Sequence, residues 1–145
     1  MATIKTYKVS AKSPGGFLIE TKAGNHTVLV DQPLEGGGKD QGPTPLDFVL
    51  IALAGCLITI GKIVAHQQKL SIRDIQVNIE GDLNLVVLSG QETNERSGFR
   101  DIKVDMQLDA DMTQEEKERF AAEVDRRCPV SDNLINPTSV QITVH

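Results

Sequence analysis

Apolar and polar positions alternate along much of the first thirty residues, which is typical of β-strands. The pattern predicts strands at residues 3–9, 17–21 and 26–30, separated by Pro14-Gly15-Gly16 and by Gly24-Asn25. Glycine and asparagine adopt the positive φ angles that tight hairpins need. The N-terminal part is therefore predicted to form an antiparallel β-meander.

A loop and then a long helix are predicted next. Residues 31–45 contain three consecutive glycines followed by Pro43 and Pro45, which indicates a loop. Pro45 suits the first turn of a helix with Thr44 as its N-cap, and this helix is predicted to run to about Lys69. Its first half is apolar on every face. Because a chain of this size has little room to surround such a helix, the pattern favours an oligomer whose subunits cover each other's helices.

The second half of the chain begins with another predicted hairpin. Apolar residues recur with a period of two over residues 72–87, which predicts a long or bent strand, and again over residues 99–108. A polar connection at residues 89–98 separates the two runs. The two runs are predicted to pair with each other.

Two helices and a closing strand complete the prediction. Thr113 and Glu116 have the spacing of a capping box for a helix that runs to Arg127. Cys128-Pro129 interrupts this helix, a short last helix follows, and residues 139–144 predict a strand. Because strands are segregated from helices, we expect an α+β fold in a single domain covering residues 1–145.

Composition and charge narrow the classes of partner. The chain has 145 residues, with 15 Lys+Arg against 20 Asp+Glu and a net charge of −5, which argues against a nucleic-acid partner. The N-terminus carries charges where a signal peptide needs an apolar stretch. The longest uncharged apolar run, residues 48–60, is shorter than the roughly 18–20 residues that cross a bilayer. We therefore expect a cytoplasmic protein with no membrane partner.

The two cysteines are the candidate chemical groups. Two cysteines are too few for the framework of a small disulfide-rich secreted domain. Both could be small buried hydrophobes, as free cysteines often are. Alternatively, Cys128 as N-cap of a helix that begins at Pro129 would face unpaired N–H groups, an arrangement that lowers the pKa of a thiol. Both interpretations remain open at this point.

Other kinds of site are poorly supported. The cysteines form no C-x-x-C pair and the three histidines are scattered, so neither a metal site nor a cofactor is predicted. The run from Gly36 to Lys39 is followed by Asp40, where a phosphate-binding P-loop needs Ser or Thr. His66 lies ten residues beyond Cys56 on the same predicted helix, about 15 Å along its axis, which excludes a Cys–His couple within one subunit.

Two segments resemble one known family. Residues 42–56, GPTPLDFVLIALAGC, are similar to the proline-led cysteine helix of the OsmC/Ohr proteins, the osmotically induced and organic-hydroperoxide-resistance family. Residues 127–131, RCPVS, followed by Leu134 and a terminal strand, resemble the family's second-cysteine motif. Both motifs fall in the right order, and the predicted element order matches over essentially the whole chain.

The resemblance implies both an architecture and a reaction. It implies an α+β subunit in an intertwined homodimer, with central cysteine helices and sheets wrapped around them. It also implies that Cys56 is the peroxidatic thiolate that attacks the O–O bond of an organic hydroperoxide and becomes a sulfenic acid. Cys128 would resolve that acid as a disulfide, which an external dithiol would reduce.

This chain departs from the peroxidase members at two positions. Those members carry an Arg in the N-terminal part and a Glu ten residues before the first cysteine. Here no Arg precedes Arg73, and Leu46 occupies the Glu position with Asp47 beside it. Asp47 is therefore a candidate catalytic carboxylate, although the commoner role of a carboxylate at a helix N-terminus is as a partner of the helix dipole.

The departures leave two alternative functions open. One is a dimeric domain that binds a small apolar molecule and performs no peroxide chemistry. The other is a thiol or sulfur carrier that uses one cysteine.

Overall fold

Three strands, a long helix, a two-stranded hairpin and two further helices follow one another along the chain, and the α+β prediction is confirmed. The computed structural model describes residues 1–145. They form two compact units, Met1–Val49 and Leu50–His145.

The first unit contains an antiparallel three-stranded sheet. Strands β1 (Val9–Gly15), β2 (Leu18–Ala23) and β3 (His26–Val30) lie in that order, so the predicted meander is confirmed. The turns fall at Gly16 and Gly24, both with a φ of +59°. The predicted strand at residues 3–9 is wrong, because these residues alternate in sequence but have no paired strand before Val9.

The loop after β3 is organised around a buried carboxylate. Asp31 is 1% exposed, and its side chain accepts hydrogen bonds from the backbone N–H groups of Gln32, Lys39 and Gln41 at 2.8, 3.3 and 3.1 Å. These hydrogen bonds, led by the one from Gln32, hold the pKa of Asp31 below its ordinary value against the opposing effect of burial. A single 3₁₀ turn, Leu34–Gly36, lies inside the loop.

Helix α1 (Pro45–Gln67) begins where the sequence predicts and ends two residues before Lys69. At its start Thr44 N–H donates to Asp47 Oδ2 at 2.9 Å, and Asp47 N–H donates to Thr44 Oγ1 at 3.2 Å. By length and composition α1 could cross a bilayer, a property that the core helices of soluble proteins share. Only 28% of its most apolar 18-residue window is buried in the single chain.

The second unit contains the predicted hairpin. Strands β4 (Ile72–Leu83) and β5 (Phe99–Ala110) pair antiparallel over nearly their whole length. The prediction that the first strand continues to residue 87 is wrong. Asn84 ends β4 and its Oδ1 accepts the Val86 N–H at 3.1 Å, which starts the one-turn helix α2 (Leu85–Leu88).

Helices α3 (Gln114–Arg127) and α4 (Pro129–Ile135) also follow the prediction. Thr113 Oγ1 accepts the Glu116 N–H at 3.2 Å, and the Glu116 carboxylate accepts the Thr113 N–H at 2.8 Å, so the capping box is confirmed. The predicted strand at residues 139–144 is wrong for the single chain, because no strand lies beside it to pair with its backbone.

The core of the second unit joins one face of α1 to the hairpin and to α3. Its buried members include Leu53, Leu57, Val64, Ile75, Leu108, Phe120 and Val124. On the opposite face of α1, Ile51 and Ile63 are 50% and 41% exposed. The single chain therefore leaves one apolar face of its cysteine helix uncovered.

Candidate dithiol site

The structure brings the two cysteines together. The Cys128 Sγ–H donates a hydrogen bond to Cys56 Sγ, and the sulfurs are 2.9 Å apart. Both are free thiols. Cys56 is partly exposed, whereas Cys128 is only 1% exposed. One sulfur is thus accessible and the other lies behind it.

Core packing positions both thiols. Leu53 and Leu57 flank Cys56 on α1 and are buried in the same cluster as Val124 of α3. Cys128 follows Val124 by about one helical turn, so the helix that buries Val124 also carries Cys128 to the core. The apolar spacing of α1 and α3 therefore sets the meeting point of two residues that are 72 positions apart.

Cys128 occupies the bend between α3 and α4 and caps both helices. Its N–H donates to the Asp125 carbonyl oxygen at 3.1 Å, and its Sγ accepts the Ser131 N–H at 3.4 Å. The Ser131 hydroxyl donates to the Asp125 carboxylate. Cys128 is predicted as an N-cap, which is confirmed, whereas its partners Asp125 and Ser131 were not predicted.

Burial raises the pKa of the Cys128 thiol, and its hydrogen bond to Cys56 raises it further. The Ser131 N–H acts in the opposite direction, because it stabilises the thiolate. The prediction that the N-cap position lowers the pKa of Cys128 is therefore wrong: the cap is present, but desolvation outweighs it.

The second unit contains a cleft of about 480 Å³, which neither cysteine lines. Leu53, Leu57 and Ser131, all neighbours of a cysteine in sequence, contribute to its wall. Its charged members are Arg96, Arg100, Asp101 and Asp125, and its other lining residues are apolar: Phe99, Ile102, Val104, Met106, Ala121, Leu134 and Ile135. The sequence does not mark the two arginines, since no motif surrounds Arg96 in the connection between α2 and β5 or Arg100 at the start of β5.

Asp47 is placed at the start of α1, where its carboxylate accepts hydrogen bonds from Thr44 N–H and from Thr44 Oγ1–H at 2.8 Å. This is the geometry of a helix cap, and a catalytic role for Asp47 stays a prediction. No three His, Cys, Asp or Glu side chains come together in a geometry that could hold a metal ion.

Comparisons with known proteins identify the family and the fold. The family model described as OsmC-like protein matches residues 37–143. A protein from Mycoplasma genitalium named hydroperoxide reductase is 23% identical over 97% of this chain and 94% of its own length.

Two crystal structures share the fold. An OsmC-like protein from Mycoplasma pneumoniae has a TM-score of 0.78 and 20% identity, over 93% of this chain and 91% of that one. An organic hydroperoxide resistance protein OsmC from Legionella pneumophila has a TM-score of 0.70 and 22% identity, over 92% and 91%. With both cysteine segments inside the matched residues, the chain belongs to the OsmC-like protein family.

Proposed function

We propose that this protein reduces organic hydroperoxides with Cys56 as the peroxidatic and Cys128 as the resolving residue. The observation that carries the proposal is the 2.9 Å contact between two free thiols, of which only Cys56 is accessible. The hydroperoxide names of family relatives at low identity support the same class of substrate.

The proposed reaction has three steps. The Cys56 thiolate attacks the outer oxygen of the hydroperoxide, the O–O bond breaks, the alcohol leaves after taking a proton, and Cys56 becomes a sulfenic acid. The Cys128 sulfur then attacks the Cys56 sulfur, a disulfide forms and water leaves. An external dithiol supplies the two electrons and two protons that restore both thiols.

The cleft supports an organic substrate. Its lining includes Leu53 and Leu57 of the cysteine helix and is largely apolar, so an alkyl or aryl group of a hydroperoxide would bury apolar surface there. Arg96 and Arg100 also line the cleft and take part in no ion pair. The peroxidase members that this chain resembles carry an Arg in the N-terminal part. Arg96 and Arg100 are the candidates for that positive charge in this chain.

The proposal extends to a single OsmC-like domain over residues 1–145 that works in the cytoplasm as a homodimer. The uncovered apolar face of α1, with Ile51 and Ile63, supports the dimer, because a second copy of the same helix would bury it.

A mass measurement tests the mechanism. One equivalent of cumene hydroperoxide added to the reduced protein should lower its mass by about 2 Da through an intramolecular disulfide. Cys56→Ser should consume no peroxide, whereas Cys128→Ser should consume one equivalent and hold a sulfenic acid that dimedone traps. Turnover by Cys56→Ser would contradict the proposal.

A second candidate function is binding of a small apolar molecule in the cleft without peroxide chemistry. The cleft volume and its apolar lining favour it. This alternative predicts that a Cys56→Ser, Cys128→Ser double variant keeps full function. A thiol or sulfur carrier instead predicts that Cys128→Ser alone keeps it.

A further inference from the structure

The proposed reaction leaves one pair of polar residues beside the thiols without a role. Asp125 lies in the last turn of α3 and Ser131 in the first turn of α4, on either side of Cys128. Asp125 holds both sides of this bend: its carbonyl oxygen accepts the Cys128 N–H, and its carboxylate accepts the Ser131 hydroxyl. Ser131 is 7% exposed, so its hydroxyl is largely removed from water.

The backbone N–H of Ser131 is directed at the buried thiol. The Ser131 N–H lies 3.4 Å from Cys128 Sγ. An N–H donor favours a thiolate over a thiol, because the charged sulfur is the stronger acceptor. The hydrogen bond to Asp125 restrains Ser131, and the restraint keeps this donor on the sulfur that must lose its proton in the second step.

Other charged groups around Asp125 do not account for its position. Arg96, Arg100 and Asp101 line the same cleft, and none of them forms an ion pair or a hydrogen bond with it. Its neighbour Arg126 is engaged by Glu123, with the closest atoms 2.9 Å apart. The Ser131 hydroxyl is the hydrogen-bond partner of the Asp125 carboxylate.

We propose that Asp125 is a positioning residue for disulfide formation: through Ser131 it holds an N–H donor on Cys128 and speeds the attack of Cys128 on oxidised Cys56. The effect on the rate of disulfide formation rests on the proposed peroxidase reaction, whereas the effect on the Cys128 thiol does not. Asp125 also lines the cleft, so its effect on disulfide formation is judged against its effect on sulfenic acid formation in the same variant.

The first experiment measures the Cys128 thiol alone. In a Cys56→Ser background, the rate of alkylation by iodoacetamide against pH gives the pKa of Cys128 without any peroxide. Asp125→Ala should raise that pKa, because the N–H donor is released. If Asp125 acted only through its charge, the same substitution would lower the pKa, since a nearby anion disfavours a thiolate.

The second experiment measures the two steps separately. After one equivalent of cumene hydroperoxide, rapid quenching and mass spectrometry follow the sulfenic acid and the disulfide. Asp125→Ala and Ser131→Ala should slow disulfide formation about threefold to tenfold, the effect of one lost hydrogen bond. Because both residues also line the cleft, the rate of sulfenic acid formation is measured in the same variants, and disulfide formation should be slowed by the larger factor. Asp125→Asn should restore most of the rate, because its amide oxygen can still accept the Ser131 hydroxyl.

Asp132→Ala is the matched control. Asp132 is also an exposed carboxylate near Cys128, but its side chain accepts from Asn136 instead of from Ser131. It should leave both the Cys128 pKa and the rate of disulfide formation unchanged. An Asp125→Ala protein with the parental alkylation profile would overturn the inference even if the wild-type protein is a peroxidase. If the wild-type protein does not react with peroxide, the proposed function is wrong. The pH dependence of Cys128 alkylation would still show whether Asp125 positions the N–H donor.

Discussion

Cys128 Sγ donates a hydrogen bond to Cys56 Sγ across 2.9 Å, so in the reduced protein the buried thiol is the donor and the accessible sulfur is the acceptor. The two sulfurs are already within about 1 Å of the roughly 2.05 Å length of a disulfide bond. Closing the disulfide would therefore need only a small shift of the two side chains.

The raised pKa of Cys128 predicts a pH-dependent stability. Between the ordinary thiol pKa of about 8.5 and the higher pKa in the folded state, the unfolded chain has lost this proton while the folded chain keeps it. The free energy of unfolding should therefore fall as pH rises above about 8.5. Urea unfolding of the reduced protein at several pH values checks this, and Cys128→Ala should show a shallower decline. Equal slopes for the two proteins would contradict it.

Phe120 should be a major contributor to the stability of the second unit. It is 3% exposed in the core between α1 and α3, and Phe120→Ala should lower the free energy of unfolding by about 3–5 kcal/mol. Glu118→Ala, at an exposed position on the same helix, should change it by less than about 0.5 kcal/mol. Denaturant unfolding of both variants measures the difference.

Gly38 should be irreplaceable in the loop around Asp31. A Cβ atom at Gly38 would lie 2.0 Å from the Gln32 carbonyl oxygen, so Gly38→Ala must displace backbone and should cost about 1–3 kcal/mol. A Cβ at Gly15 would meet nothing within 4 Å, which makes Gly15→Ala the control. Hydrogen exchange of the Lys39 and Gln41 amides, which bond to Asp31, should accelerate only in the Gly38 variant.

The uncovered face of α1 predicts a variant that cannot dimerise. Ile51→Glu would place a charge in the proposed helix-to-helix interface, and light scattering should then report a monomer. Leu85→Glu is the control, because Leu85 is an apolar residue of α2 that is 63% exposed and lies outside the proposed interface. The Leu85→Glu protein should remain dimeric. A dimer formed by the Ile51 variant would speak against this interface.

Local signals in the sequence identified most of the elements. The elements that were wrongly predicted are strands, whose formation depends on pairing with residues far away in the chain. Thr113 with Glu116 and Pro45 with Thr44 are capping signals that act within one turn, so both helix starts were predictable. Residues 3–9 and 139–144 have an alternating pattern, but whether they form strands depends on a neighbour that the pattern does not specify.

The site was predictable at the level of its cysteines and not at the level of their surroundings. The two motifs identify Cys56 and Cys128, but their contact depends on how α1 packs against α3. The pKa of Cys128 was predicted in the wrong direction, because the cap is a local feature whereas desolvation depends on the whole core. One local signal was present: Ser131 lies three residues after the N-cap Cys128, and the N–H at that position commonly donates to the N-cap side chain.

The C-terminal residues after α4 present Val140, Ile142 and Val144 to solvent at 80–88% exposure, and no strand of the chain pairs with them. These residues and the uncovered apolar face of α1 would become buried only in the proposed dimer. By mass action, the stability of such a protein is tied to its concentration, so dilution should lower its melting temperature. Folding and association would then form one equilibrium, in which the amount of protein in the cell helps to keep each chain folded.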